Sequence, residues 1–363
     1  MEICVAIMAG GIGERFWPAS RKRKPKQFLS IFEDKISFIQ KTFFRALKVT
    51  SLENVFISIR EDLISLCRTV LPELPIEQYI VEPLGKDTAA AMGLASVFIE
   101  NIRPGSILVI MPSDHFIEPE ETFVEDIFVA CKTAKNLDCI VTLGIKPSRV
   151  ETGYGYIEKG EVVHKTQEGR NVFEVRKFTE KPDKKTAEDW IRSGNFLWNS
   201  GIFIWKPSIF LSELERFLPE HYHSLRDIES FLNRPDMIDK AKPLFEKLTP
   251  VSVDYGVMEK TKNILCLPAS FLWDDVGSWS SIERFFKKDE NGNTIYGKSL
   301  AFNSKNSIAV NWNDDGITVV AGLENIVIIR TSDVVLVYDK RKEDMLKDLL
   351  KEIKKDSDLS GFL

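Results

Sequence analysis

Up to about residue 145, short apolar runs alternate with longer stretches of helical period. Residues 2–8 (EICVAIM) form one such run and predict a buried strand, followed at once by a glycine loop. Residues 54–59, 76–81, 107–111 and 139–143 predict further strands. Between them, residues 122–136 place Phe123, Ile127, Ala130 and Ala134 on one helical face. Strands that alternate with helices imply right-handed crossovers and a mostly parallel sheet. The strands are continuous apolar runs and not alternating ones, as expected when both faces of a sheet are covered.

The texture then changes. Residues 155–205 are strand-rich with one helix at 184–193, and helices resume at 208–217, 235–248 and 252–260. The polar stretch DENGNT at 289–294 predicts a domain boundary. Short β-rich runs follow at 307–310, 317–320, 326–330 and 334–338, then a charged surface helix at 340–355 and a loose tail.

Composition narrows the function classes. The 363 residues are 44% apolar and 28% charged, enough for a substantial core of a soluble protein with one large or two ordinary domains. Lys and Arg total 49 against 54 Asp and Glu, a net charge of -5 that argues against a nucleic-acid binder. The N-terminus has an acidic second residue and no signal-peptide core, and no run approaches a membrane span, so no membrane partner is expected. Cys4, Cys67, Cys131, Cys139 and Cys266 are odd in number and show no CxxC spacing, which favours free thiols in a cytoplasmic protein. His221 and His223 read as the loop at a helix start, since no third metal ligand lies near them. Phe43, Phe44, Phe285 and Phe286 read as core or contact residues.

The chemistry concentrates first at Ala9-Gly10-Gly11-Ile12-Gly13-Glu14-Arg15, directly after the first strand. Strand, glycine loop and helix is where an α/β sheet holds phosphate, because free amides and missing side chains permit close approach. A tight turn uses glycine equally well, and the loop has neither Gly-Lys-Ser/Thr nor GxGxxG spacing. The cations of residues 16–28 (FWPASRKRKPKQF) follow immediately and read either as a solvated basic run or as groups aimed at a polyphosphate.

Residues 9–28 resemble the opening of the sugar-phosphate nucleotidyltransferases, specifically the mannose-1-phosphate guanylyltransferases, of form AGGxGTRLWPxSRxxxPKQF. The resemblance recurs in order: VEPLGKDTA (81–89), MPSDH (111–115), ETGYGYI (151–157), FTEKP (178–182), WNSG (198–201), VDYGVME (253–259) and WDDVGSW (273–279). It implies an α/β fold, a Rossmann-like mostly parallel mixed sheet of nucleotidyltransferase type, with a small β-helical C-terminal domain. The implied domains are a catalytic one at 1–288, with a sugar-binding β-rich insertion at about 150–205, and a C-terminal one at 289–363. The chain departs from the family pattern at Glu14 (usually Thr), at Lys86-Asp87 (Arg-Asn) and at Ala90 (Pro).

The implied reaction transfers GMP from GTP to mannose 1-phosphate by in-line attack of a phosphate oxygen on the α-phosphorus. Such chemistry rests on positioning and charge neutralisation and needs no protein nucleophile. The resemblance makes Arg15, Lys26 and Asp114 the catalytic residues and Gly10, Gly11, Gly13, Glu82, Pro83, Gly85 and Asp114 the nucleotide site. It makes Gly153, Glu180, Lys181 and Asn199 the sugar-phosphate site. Asp114 and Asp275 are the implied ligands of Mg²⁺, with Asp274 the neighbour most easily confused with Asp275. GTP and mannose 1-phosphate are the expected partners, with a homodimer through the C-terminal β domain. Another sugar 1-phosphate such as glucose or a heptose, a catalytically silent nucleotide-sugar-binding subunit and a nicotinamide oxidoreductase are the alternatives.

Overall fold

The computed structural model describes every residue except Glu33, Asn233, Pro235 and Asp314. Contacts divide the chain into two compact units, residues 1–10 with 39–273 and residues 11–38 with 274–363.

The first unit is built on a nine-stranded sheet in the order β3-β2-β1-β4-β9-β6-β10-β8-β7. Its strands are β1 (Ile3–Met8), β2 (Val55–Arg60), β3 (Tyr79–Glu82), β4 (Ile107–Pro112), β6 (Ile140–Ile145), β7 (Gly155–Lys165), β8 (Asn171–Glu180), β9 (Phe196–Trp205) and β10 (Ile264–Pro268). The short strands β5 (Phe116–Glu118) and β11 (Leu272–Asp274) stand outside it. β3, β2, β1 and β4 are mutually parallel, as are β6 and β10, whereas β9 and β8 pair antiparallel with their neighbours. β1 is an interior strand of the sheet and is buried over five of its six residues, which is why its sequence shows no alternation.

The helices are α1 (Phe38–Leu47), α2 (Ile64–Val70), α3 (Asp87–Ile102), α4 (Glu120–Leu137), α5 (Lys184–Ser193), α6 (Pro207–Phe217), α7 (Pro219–Glu229), α8 (Met237–Lys247) and α9 (Leu346–Lys355). α3 is buried along most of its length, and a Cβ at Gly93 would come within 2.5 Å of Leu225 and 3.0 Å of Leu214, so that glycine lets α6 and α7 approach closely. α5 begins and ends where its sequence signals do. Asp183 caps it by accepting from the Thr186 N–H at 3.0 Å, and Gly194 closes it at φ 69°.

Several expectations change. Residues 76–78 form a 3₁₀ turn after Pro75, which fixes the backbone, and the strand starts only at Tyr79. The helix expected at 252–260 is a single π-helical turn, Asp254–Met258. His221 and His223 lie within α7, not in a loop; Pro219 occupies the first turn, and His221 Nε2 lies 3.1 Å from the Thr249 carbonyl. The start expected for α8, Pro235, lies outside the described residues, and the helix begins at Met237. Phe44 is 42% exposed and belongs to no core, although Phe43 is fully buried.

In the second unit, β12 (Thr294–Tyr296), β14 (Ile308–Asn311) and β16 (Ile326–Arg330) pair in parallel, and β17 (Val335–Asp339) adds antiparallel to β16. β13 (Ser299–Phe302) and β15 (Thr318–Ala321) form a second parallel pair, so successive strands alternate between two sheets. Buried amides staple the turns: Asn293 donates to the Ser304 carbonyl at 2.8 Å and accepts from the Ser307 N–H at 3.0 Å. Residues 340–345 form a 3₁₀ turn and only Leu346–Lys355 is helical. The tail is docked and not loose, since the Trp17 indole donates to the Phe362 carbonyl at 2.8 Å.

Candidate active site

The glycine loop leaves the carboxyl end of β1, where the Ala9 N–H donates to the Ser58 carbonyl at 2.8 Å. Gly10 lies over Glu82, and an added Cβ would sit 3.4 Å from Glu82 Oε1. Glu82 is only 5% exposed and accepts from the Ser58 hydroxyl at 2.9 Å. Burial pushes its carboxyl up to about 7, against the opposing pull of Ser58 and Arg60. The structure therefore makes Glu82 a buried support of the loop. Pro83 is buried beside it, and Gly85 is exposed.

This placement has a stability consequence. Between pH 4.5 and about 7 the native state binds the Glu82 proton that the unfolded chain releases, so this group's contribution falls as pH rises and is constant above. Glu82→Gln keeps an acceptor for Ser58 and removes that penalty. Its stability relative to wild type should rise from pH 5 to pH 8 by about 2–3 kcal/mol, read from urea midpoints. A difference independent of pH would show that the carboxyl ionises normally.

Asp114 follows β4 and is half-buried, with the adjoining Ser113 N–H bonded to the Met8 carbonyl at 3.2 Å. Its neighbour His115 accepts from the Trp273 indole N–H at Nδ1, 3.1 Å away. Trp273 packs edge-on against Tyr154, and Tyr154 against Trp198, each with ring centroids 5.2 Å apart. Arg149 lies over Trp198 at 5.0 Å and donates to the Tyr154 hydroxyl at 2.9 Å. An aromatic chain thus joins four of the sequence motifs within the first unit.

Glu180 ends β8, Lys181 follows it, and Asn199 lies within β9; Glu180 and Asn199 both stand against Gly155 of β7. Lys181 Nζ lies 2.9 Å from Glu180 Oε1, and the Lys181 N–H donates to the Tyr154 carbonyl at 3.1 Å. Lys181 holds φ 48° just before Pro182, a costly left-handed backbone for a lysine of the kind that collects at functional sites. Asn199 donates to Asp254 Oδ1 at 3.1 Å. Loss of solvation, with the Glu180 charge adding, pushes the Asp254 carboxyl up to about 7. The glycine of close approach is Gly155, whose Cβ would come within 2.5 Å of Glu180 and 3.3 Å of Asn199. Gly153 instead donates its N–H to Glu151 at 3.1 Å. Sequence reasoning missed Gly155, Arg149 and Asp254, although each lies within or beside a quoted motif.

In the second unit Gly11 is open, whereas Gly13 has φ 71° and a Cβ there would meet Lys26 Cβ at 2.3 Å, so only glycine fits. Arg15 is exposed on the turn that follows. Lys26 is 4% exposed, packs over Phe16 and Phe38 and donates from Nζ to the Asp275 carbonyl at 2.6 Å. It ties the glycine loop to the WDDVGSW turn.

That turn separates its two aspartates. Asp274 is buried, accepts two bonds from Arg284 at 2.7 Å and caps the Val276 N–H at 2.8 Å. Val276 holds φ 46°, an outlier for a β-branched residue. The half-buried Asp275 carboxylate lies over Gly277, where a Cβ would come within 2.7 Å of Oδ2. Asp274 is thus committed to the fold, and the strained turn presents Asp275.

Among the described residues, no three His, Cys, Asp or Glu side chains gather as a ready metal cage. A Mg²⁺ bound through one or two carboxylates, with water and phosphate oxygens completing its shell, needs none. Asp114 at its strand end and Asp275 on its turn are each, taken singly, a half-buried carboxylate of the kind such an ion takes.

A family model described as nucleotidyl transferase matches residues 5–292. The chain belongs to the nucleotidyl transferase family. The mannose-1-phosphate guanylyltransferase of Salmonella muenchen is 35% identical over 97% of this chain and 73% of its own length. The protein of the same name from Klebsiella pneumoniae is 35% identical over 96% and 73%. A crystal structure described as mannose-1-phosphate geranyltransferase from Thermus thermophilus superposes with a TM-score of 0.85 at 29% identity, covering 98% of this chain and all of that one. No helix of this nucleotidyl transferase, among the described residues, is long and apolar enough to cross a membrane.

Proposed function

We propose that the chain transfers GMP from GTP to mannose 1-phosphate, forming GDP-mannose and pyrophosphate. The observation that carries this is the match to guanylyltransferases along 97% of the chain at 35% identity. The placement of Glu180 and Asn199 against Gly155, with Lys181 paired to Glu180, supports the sugar side. A sugar-phosphate oxygen attacks the α-phosphorus of GTP, the bond to the β-phosphate oxygen breaks, and pyrophosphate leaves with the electron pair. Loop amides at Gly10, Gly11 and Gly13 approach the phosphates, and Arg15 and Lys26 counter their charge. Lys181 holds the sugar phosphate, and Glu180 and Asn199 bond sugar hydroxyls. Since Glu82 is buried, the backbone around Pro83 and Gly85 offers the guanine contacts. Mg²⁺, held by Asp114 and Asp275, would neutralise charge on the phosphate oxygens.

A cytoplasmic location is part of the proposal and is supported by five buried, free cysteines. A homodimer is also proposed. It is supported by the exposed apolar side chains Leu300, Phe302 and Val319 on β13 and β15, and light scattering would test it.

The test supplies purified protein with each of GTP, ATP and UTP against mannose, glucose and heptose 1-phosphates, and follows pyrophosphate. GTP with mannose 1-phosphate should give the highest kcat/KM. A preference for another sugar or base would overturn the assignment.

A further inference from the structure

The VDYGVME segment has no role in the reaction as derived above, yet both of its ends hold sugar-side residues. Asp254–Met258 is one π-helical turn, closed by the Glu259 N–H bonding the Asp254 carbonyl at 2.9 Å. Such turns are rare and recur where a side chain must be placed out of ordinary helical register. The turn is seated on the start of α3: Val253 N–H donates to the Thr88 hydroxyl at 2.8 Å, and Ala89 N–H donates to the Val251 carbonyl at 3.2 Å.

From that seat two carboxylates reach the sugar-side strands. Asp254 Oδ1 accepts from Asn199 Nδ2 at 3.1 Å, and Glu259 Oε1 accepts from the Glu180 N–H at 2.9 Å. The Asn199 carbonyl oxygen accepts from the Gly201 N–H at 3.1 Å and faces the Thr142 hydroxyl, whose single proton it shares with the Ile202 carbonyl, so the amide is oriented from its oxygen side. With one amide N–H on Asp254, Asn199 retains a single N–H for a ligand, in a fixed direction. Glu180, locked at its backbone, supplies an acceptor from the end of β8, across β7 from Asn199.

We propose that the Asp254–Glu259 turn is the positioning element for sugar-hydroxyl recognition, with Asp254 aiming the Asn199 donor and Glu259 holding the Glu180 acceptor. The inference rests on the sugar 1-phosphate reading above and adds two positioning residues to it. Neither residue is assigned to the reacting phosphates, so their loss should act on sugar binding and spare the nucleotide.

The experiment measures kcat and KM for both substrates in Asp254→Leu, Asp254→Asn and Glu259→Leu. Asp254→Leu should raise KM for mannose 1-phosphate at least about tenfold while KM for GTP holds, the pattern of lost ground-state binding. Asp254→Asn keeps an oxygen that accepts from Asn199 and should restore KM to within about threefold of wild type. Glu259→Leu, at an exposed position, gives the same split if Asp254→Leu fails to fold. Unchanged sugar KM in folded Asp254→Leu and Glu259→Leu, or equal shifts in both substrates' KM, would overturn the proposal with the function intact. Wild-type protein that releases no pyrophosphate from any sugar 1-phosphate would instead defeat the functional reading.

Discussion

Replacing Lys26 with methionine is expected to lower kcat/KM at least about 100-fold, roughly 2.7 kcal/mol of transition-state stabilisation. The side chain is 4% exposed and its ammonium bonds the Asp275 carbonyl at 2.6 Å. A charge held in so dry a place acts strongly on phosphate oxygens, because little water screens it. Alanine would delete the stem packed over Phe16 and Phe38 and mix lost stability with lost catalysis. Methionine fills most of that volume and removes the charge together with the bond to the Asp275 carbonyl. The expected result is a folded variant with a thermal midpoint lowered by the one lost bond and turnover near background. A folded Lys26→Met with near-normal turnover would make Lys26 an anchor of the loop and nothing more.

The second large effect separates two adjacent aspartates. Asp275→Ala should keep the fold and lose at least about 100-fold in kcat, with a raised Mg²⁺ requirement in any residual activity. Asp274→Ala should lose stability. It removes the two bonds of 2.7 Å that Arg284 makes to Asp274 and uncaps the strained Val276 turn. Breaking a fully buried pair costs about 3–5 kcal/mol; the Arg284 side chain is 35% exposed and can reach water, so about 2–3 kcal/mol is expected. Urea denaturation and turnover measured together on both variants decide it. If Asp275→Ala were the unstable protein and Asp274→Ala the inactive one, the roles would be reversed.

Much of this was legible before the fold. Continuous apolar runs located β1, β2, β4 and β6 to within two residues, because strands covered on both faces cannot hide their composition. The helix expected at 184–193 is α5 to the residue, and the fold adds its caps, Asp183 and Gly194. Antiparallel β9 lies between β4 and β6, and no local pattern encodes this, because pairing partners are chosen by packing at long range. The π-helical turn escaped for the same reason: the contacts of Asp254 and Glu259 lie 55 and 79 residues away in sequence. In the site, residue types were readable and orientations were not. Glu82 has the chemistry to read a guanine, but its burial under Gly10 shows only in three dimensions. Asp274 and Asp275 are equivalent as letters, and the Arg284 pair and the Val276 cap that mark Asp274 show only in the fold.

The most direct test of the account is a ³¹P NMR time course of the wild-type protein with GTP, mannose 1-phosphate and Mg²⁺, with each component omitted in turn. GDP-mannose and pyrophosphate should appear in equal amounts in the complete mixture alone. GTP and mannose 1-phosphate left intact in that mixture, or GTP consumed equally well without the sugar phosphate, would contradict it.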